Sequence, residues 1–584
     1  RVEAMKHILA AVPASEARKW SGADCEELLR ACARSQLQDA SMLLPMARRL
    51  GQEAERLTET QLAEAIWALG RLAFRGDLKG TNFLNPLARR ACSNIIHFSM
   101  QELGTIAWSF GRLEELHSQL LSAISQRAVA EAQAAHGSGD RGQLSAKAVA
   151  NLLWGFARLR YEDKVLFGNL GDLLCRQLEA GGSQPHAGAR ARPNVRALVS
   201  VIWSFATVEC HHPELFAIVA RALVQEQASL TDLAISNVAW SYARNNVLCP
   251  ELLQCLADLT KVRATSFNEQ HIANVAWAFA TLSYEDVALF EVLSAAARHK
   301  IEHFKAQAVA NVAWAFAKAE HSDEDLFDSL AKSATSCSMR RYSSQNVANL
   351  TWAFAVMRHR DEEYLDCLSE VVLRRCDTFE PQALSTLGIS MVRLSLAPSP
   401  PLAAVLTAAS HRFSESALDV QALANVGWAA GKARHSEDGF LDRLHEATWT
   451  RRQQLSVQDV GSLLWALSHL GRDDEQLGKA LVVELLSKGD EAGTKAGAGA
   501  LTGTGTSAVE GQPAAFEEKE VPPKLRSAAA LDLAVLARVI ATRYFSPLRL
   551  PAHSEAITPK RRKLCTYPQV QLQMAMRKKG FFQG

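Results

Sequence analysis

Two identical stretches, Asn274-Val-Ala-Trp-Ala-Phe-Ala280 and Asn311-Val-Ala-Trp-Ala-Phe-Ala317, lie 37 residues apart. Variants of this phrase recur along the chain, each around a tryptophan. The tryptophans concerned are Trp67, Trp108, Trp154, Trp203, Trp240, Trp277, Trp314, Trp352, Trp428 and Trp465. Neighbouring copies from Trp203 to Trp352 are 37 or 38 residues apart, which predicts a repeat protein.

Two further copies lack the tryptophan. The 76-residue step from Trp352 to Trp428 spans two periods, and Ile389 takes the tryptophan position of the copy between them. Arg30 takes it in a degenerate first copy. The sequence therefore predicts about twelve copies of one unit.

Each copy has room for two helices. A residue typical of helix N-caps stands nine residues before the tryptophan in nine copies, at Thr58, Ser99, Ser145, Asn194, Thr231, Asn268, Ser343, Asp419 and Ser456. A first helix is predicted from there to about five residues beyond the tryptophan, and a second amphipathic helix follows, for example at 285–297 and 323–334. We therefore predict an all-α fold, an α-α superhelix (solenoid) of about twelve helical hairpins.

This interpretation divides the chain into four parts. They are an N-terminal segment (1–23), the solenoid (24–487), a flexible linker rich in Gly, Ala, Thr and Glu (488–526), and a C-terminal helix with a basic tail (527–584). The Gly-rich stretches near 134–143 and 180–193 are interpreted as loop insertions, because the repeat spacing increases to 46 and 49 residues around them.

Composition excludes several classes of function. The 64 Lys and Arg nearly balance the 62 Asp and Glu, which excludes a uniformly basic nucleic-acid coat. The 11 cysteines form no C-x-x-C pair, and the common hydrolase, metalloprotease and phosphate-loop motifs are missing. We therefore predict neither an enzyme nor a metal or cofactor site. No apolar stretch reaches the length of a membrane span, so no membrane is expected as a partner.

Four positions of the first helix fall on one face, within about 60° of one another. They are the tryptophan and the positions seven before, three before and four after it. Seven before, glutamine recurs as Gln101, Gln270, Gln307, Gln345, Gln382, Gln421 and Gln458. Three before, asparagine recurs as Asn151, Asn237, Asn274, Asn311, Asn349 and Asn425. Four after, a cation recurs as Arg34, Arg71, Arg112, Arg158, Arg244, Lys318, Arg393 and Lys432.

Stacked repeats would align these columns as ladders of amide, indole and cation. Such ladders suit an extended single-stranded nucleic acid, because amides can bond base edges and cations can hold phosphates. Explanations without a ligand are open for each column. Cations in a last turn complement the helix dipole, Gln could satisfy first-turn N–H groups, Asn could bond the backbone of the next repeat, and Trp could pack between repeats.

The repeated phrase Asn-Val-Ala-Trp-Ala-Phe-Ala, preceded by Phe-x-x-Gln, resembles the octotricopeptide-type repeats of organellar RNA-binding proteins over about residues 55–470. It is also similar to repeats of FAST-kinase-like mitochondrial proteins and of a helical-repeat subunit of the kinetoplastid RNA-editing substrate-binding complex. The resemblance implies binding of single-stranded RNA and a role in organellar RNA processing, stability, editing or translation. Many members end in a RAP domain, which we do not recognise here, so cleavage activity is not expected.

The resemblance implies a mitochondrial location, with a plastid as the alternative, and other proteins of an organellar ribonucleoprotein complex as partners. Lys560–Lys563 could instead be a nuclear signal or a phosphate-binding arm. The tail at 549–584 carries +7, which leaves −5 for the rest of the chain and weighs against RNA. An armadillo-like scaffold that binds extended peptides is the alternative function.

Overall fold

The computed structural model describes residues 20–75, 83–137, 145–182, 194–414, 418–472 and seven residues between 474 and 484. These residues form α-helices joined by turns and short 3-10 helices, with no β-strand among them. The predicted linker at 488–526, the C-terminal helix and basic tail at 527–584, and all but the last four residues of the N-terminal segment lie outside the described residues.

The helices alternate between A helices, which carry the tryptophan position, and B helices, which follow them. The A helices are α1 (Gly22–Ser35), α3 (Glu59–Leu72), α5 (Met100–Leu113), α7 (Ala146–Arg158), α9 (Val195–Thr207), α11 (Asp232–Arg244), α13 (Glu269–Thr281), α15 (Ala306–Lys318), α17 (Ser344–Met357), α19 (Pro381–Arg393), α21 (Val420–Ala433) and α23 (Val457–His469). The B helices are α2 (Ala40–Gln52), α4 (Leu84–Ser93), α6 (Ser118–Gly137), α8 (Lys164–Gly182), α10 (Pro213–Gln225), α12 (Pro250–Arg263), α14 (Val287–Lys300), α16 (Glu324–Ser336), α18 (Glu362–Arg375), α20 (Pro400–Ser410) and α22 (Asp438–Thr450). The predicted all-α hairpin repeat is confirmed.

The A helices begin where the capping residues predict. Each of the nine predicted N-cap side chains accepts a backbone N–H from three residues further on. The Asn268 side chain, for example, accepts the N–H of His271 at 2.9 Å. The predicted bounds of the B helices were less accurate. The B helix predicted at 285–297 is α14, Val287–Lys300, and it begins after Asp286 because the Asp286 carboxylate caps it by accepting the N–H of Leu289 at 2.9 Å.

Every A helix is followed, one or two residues after its end, by a residue with positive φ, which stands six residues after the tryptophan position. The next residue's N–H then bonds a carbonyl five residues back, as Tyr284 does to Phe279 at 3.0 Å. This Schellman-type ending turns the chain into the B helix. We name the positive-φ residue the corner residue. Among the twelve, only Gly471 is a glycine; the other eleven hold a side chain in a conformation that costs L-residues energy.

Contacts divide the chain into two units, 1–303 and 304–584. In the first unit each A helix from α1 to α13 packs on the next A helix, and each B helix from α2 to α14 on the next B helix. In the second unit the same holds for A helices α15 to α23 and B helices α16 to α22. Each unit is therefore a two-layer array in which the A layer leaves one face uncovered.

The core of each hairpin uses the predicted apolar positions. Ile272, Val275 and Phe279 are fully buried. Small residues at the flanking positions let neighbouring A helices approach closely. Among the glycines of the described residues, the closest approach lies between α5 and α7, where a Cβ built on Gly155 would lie 2.3 Å from the carbonyl oxygen of Ala107. That distance leaves no room for any side chain at residue 155.

Several B helices end with a basic residue that joins the two helices of one hairpin. This residue stands 23 positions after the tryptophan position, and its side chain donates a hydrogen bond to a backbone carbonyl just before the A helix of the same hairpin. Arg263 bonds Leu230 and Arg375 bonds Tyr342, both at 2.6 Å. We name this contact the hairpin clasp; hydrogen bonds from charged donors are stronger than neutral ones.

The interpretation of 134–143 and 180–193 as loops was wrong in part. The B helix α6 continues to Gly137 and α8 to Gly182, with 20 and 19 residues, because Ala, Glu and Gln extend their helical pattern. The remaining residues of both stretches lie outside the described residues. No helix in the described part of the chain is long and apolar enough to cross a membrane.

Candidate nucleic-acid interface

The four predicted positions form the solvent-facing strip of the A helices. In α13, Gln270 is exposed, and Asn274 and Trp277 are partly exposed, whereas Val275 and Phe279 between and beside them are buried. Within each unit the same pattern repeats in the A helices that have an A-helix neighbour on both flanks and B helices on a third side. We name this surface the A strip.

The amide columns of the A strip are accessible. The glutamines Gln270, Gln307, Gln345, Gln382 and Gln421 are exposed, and the asparagines Asn237, Asn274, Asn311, Asn349 and Asn425 are partly exposed. Within the described residues, none of these ten side-chain amides forms a hydrogen bond. Bonding of Asn to the next repeat, and of Gln to first-turn N–H groups, is therefore excluded for these residues. Each amide retains its full donor and acceptor capacity for a ligand.

The cation column divides into paired and unpaired members. All eight predicted cations occupy the last turn of an A helix, where the helix dipole favours them with or without a ligand: Arg34, Arg71, Arg112, Arg158, Arg244, Lys318, Arg393 and Lys432. Arg71, Arg112 and Lys318 are exposed and have no ion-pair or hydrogen-bond partner in the described residues. These three are available to phosphates.

Two other cations are neutralised by corner residues. Arg158 pairs with Glu114 and Arg244 pairs with Glu209, in each case the corner residue of the preceding repeat. Glu114 also binds Arg75 at 2.6 Å, and that hydrogen bond lowers the pKa of the Glu114 carboxyl. Sequence reasoning missed these acids. The signal was present, because acidic residues recur six positions after the tryptophan at Glu114, Glu209 and Glu320.

The tryptophans pack on one another and still reach solvent. Ring centroids are 6.1 Å apart for Trp108 and Trp154, 6.3 Å for Trp154 and Trp203, and 6.2 Å for Trp314 and Trp352. These five indoles are partly exposed. The column therefore serves as core between repeats and also presents aromatic surface along the A strip.

In the second unit the A strip borders a groove of about 320 Å³. Its lining includes the predicted residues Asn349, Arg393, Gln421 and Asn425, together with Trp314, Trp352, Ile389, Trp428 and Gln458. Beside it, the Lys432 ammonium lies 5.8 Å from the Trp428 ring and 5.0 Å from the Trp465 ring. Amides, indoles and cations from successive repeats thus meet in one concave surface.

In the first repeat, ion pairs occupy the positions of the A strip. Arg30 contacts Glu26 at 3.2 Å and Glu64 at 2.6 Å, and Glu64 occupies the asparagine position of the second repeat. Burial raises the pKa of Glu26 to about 7. At this end of the A strip the cation Arg30 is therefore paired with glutamates, and there is no row of amide side chains. In the described residues, no group of three or more His, Cys, Asp or Glu could hold a metal ion.

Comparison with known proteins gives one family. The sequence profile of the RNA-editing substrate-binding complex 6 protein matches residues 144–438, just over half of the chain. No curated protein matches.

Solved structures match at low identity. A homology model of the full-length AP-3 complex is 11% identical (93% of this chain, 90% of that chain, TM-score 0.23). An engineered protein is 12% identical (77% and 99%, TM-score 0.25). The pentatricopeptide repeat protein PPR10 from maize is 12% identical (85% and 97%, TM-score 0.23).

Proposed function

Since this chain belongs to the RNA-editing substrate-binding complex 6 protein family, we propose that it binds single-stranded RNA along its A strip. It acts without catalysis, by positioning or masking transcripts for processing, stabilisation, editing or translation. Its partners are RNA and other proteins of a ribonucleoprotein complex, in a mitochondrion or, as the alternative, a plastid.

One observation carries this proposal: within each unit, unpaired amides, accessible indoles and unpaired cations lie on the A strip of successive helices. Each class has a different partner in a nucleotide. Amides match the hydrogen-bonding edges of unpaired bases, indoles stack on base faces, and cations contact phosphates. The charge of −5 outside the tail is a sum over all surfaces, whereas a phosphate responds to the local charge, and Arg71, Arg112 and Lys318 carry unpaired positive charge on the A strip.

The unpaired cations give the direct test. Replacing Arg71, Arg112 and Lys318 together by alanine removes three phosphate contacts, so we expect weaker binding of a single-stranded RNA and a smaller salt dependence. The slope of log K against log salt should fall by about 2, at roughly 0.7 per phosphate on single strands. Fluorescence anisotropy across a salt series measures both quantities.

A matched control removes the same charge elsewhere. Arg176, Arg221 and Lys332 are exposed on B helices, without a partner among the described residues, and their triple alanine variant should keep the wild-type slope. Equal slopes for the two triple variants would contradict the proposal. Wild-type protein that captures an extended peptide but no RNA would favour the armadillo-like scaffold instead.

Neutralising an acidic corner residue is expected to strengthen RNA binding. Glu114→Gln should release Arg158 for phosphate contact, so we expect several-fold tighter RNA binding and a steeper salt dependence. Glu320→Gln is the matched control, because Glu320 is also an exposed corner residue but has no cation partner among the described residues. Both variants remove one negative charge. Equal gains in the two would show that only net charge matters, against a specific role for Arg158.

A further inference from the structure

The indole column of the second unit has one gap. In α19 the tryptophan position is occupied by Ile389, between Trp352 of α17 and Trp428 of α21. Ile389 is partly exposed and lines the groove together with both flanking indoles. The groove is therefore built where the column lacks one ring.

Three pairs of neighbouring indoles in the column leave no space for another ring. Their centroids are 6.1 to 6.3 Å apart, within the range of aromatic rings in direct contact. At this spacing two repeat steps span roughly 12 Å, which is the separation expected between Trp352 and Trp428. A flat ring in the place of the missing indole would contact both neighbours as the indoles contact each other.

The surroundings of the gap suit a purine. A purine is a fused five- and six-membered ring system, like indole, and it adds hydrogen-bonding edges that indole lacks. Asn349 and Asn425 border the gap with amides that form no hydrogen bond in the described residues. Arg393 lies at the exposed end of α19, where a phosphate attached to the ligand would emerge. The 320 Å³ groove has the size of a ligand site.

We propose that the gap at Ile389 is a purine-binding slot, in which one base takes the place of the missing indole and stacks between Trp352 and Trp428. The base comes from a bound RNA strand or from a free purine nucleotide. For the RNA case the slot rests on the proposed function and adds position-specific recognition of one nucleotide.

Two variants separate a filled slot from an open one. Ile389→Trp restores the regular column and fills the slot, and Ile389→Phe fills it with a smaller ring. Ile389→Val, the matched control, leaves it open. Thermal melting of each protein establishes that it is folded before binding is compared.

In the RNA arm, a purine-rich oligonucleotide is scanned with a single abasic site at each position. Wild type and Ile389→Val should show one position where loss of the base weakens binding about 5- to 150-fold, the effect of one stacked base. Ile389→Trp should bind every oligonucleotide with a flat profile. A flat profile for wild type, or the same sensitive position in Ile389→Trp and Ile389→Phe, would overturn the slot.

In the nucleotide arm, AMP, GMP, CMP and UMP are titrated while tryptophan fluorescence is recorded. Quenching by AMP or GMP that is lost in Ile389→Trp, with no RNA binding, would establish the slot for free purine nucleotides and refute the proposed function. RNA binding with a flat abasic profile and no quenching by mononucleotides would refute the slot and leave the proposed function standing. An RNA profile with one sensitive position and no mononucleotide binding identifies the RNA strand as the source of the base.

Discussion

Gly155→Ala is expected to lower the free energy of unfolding by about 3 kcal/mol, at the upper end of the range for overpacking. The added Cβ would lie 2.3 Å from the carbonyl oxygen and 2.5 Å from the carbonyl carbon of Ala107. Both are backbone atoms of α5, which cannot rotate away as a side chain can. Helices α5 and α7 must therefore separate, and the contact between Trp108 and Trp154 must change with them.

Urea denaturation of the wild type and of Gly155→Ala measures the difference in free energy of unfolding. Gly168→Ala provides the control, because Gly168 lies inside the B helix α8 and a Cβ there would meet nothing within 4 Å. Alanine should stabilise that helix by up to about 1 kcal/mol. If both variants had the same midpoint, close A-helix packing would not be what requires Gly155.

Lys300→Met is expected to lower the free energy of unfolding by about 2 kcal/mol, because it opens a hairpin clasp without removing the apolar stem. The Lys300 ammonium donates to the carbonyls of Thr265, at 2.7 Å, and Phe267. Methionine keeps the length of the side chain but donates to neither oxygen. The two carbonyls then lose a charged donor.

Lys332→Met is the matched substitution, since Lys332 is exposed on α16 and its ammonium has no partner in the described residues. Its melting temperature should stay close to that of the wild type. A Lys300→Met protein that melts at the same temperature as Lys332→Met would show that the clasp adds no net stability.

The sequence predicts local structure well because the determinants are local. The Asn268 side chain caps a backbone N–H only three residues away, and helical periodicity alone places Gln270, Asn274 and Trp277 on one face. Caps and faces follow from such patterns within one repeat, and the repeat count follows from their recurrence along the chain.

Contacts between repeats could not be obtained in this way. The pairing of Arg158 with Glu114 joins residues 44 apart, and its existence depends on the register of two neighbouring hairpins. The slot at Ile389 depends on the volume left by a smaller side chain, which a column of residue types does not show. The clasp at Lys300 was missed for the same reason, because it joins residues 33 and 35 apart.

The rarity of glycine among the corner residues gives the repeat array a simple means of variation. Glycine would relieve the backbone strain but could carry no charge. Glu114 and Glu209 each neutralise an arginine by an ion pair, whereas Arg358 and Arg434 add a positive charge at the same position of their repeats. One codon per hairpin can thus raise or lower local attraction for a polyanion. Affinity can evolve repeat by repeat while the helices stay unchanged.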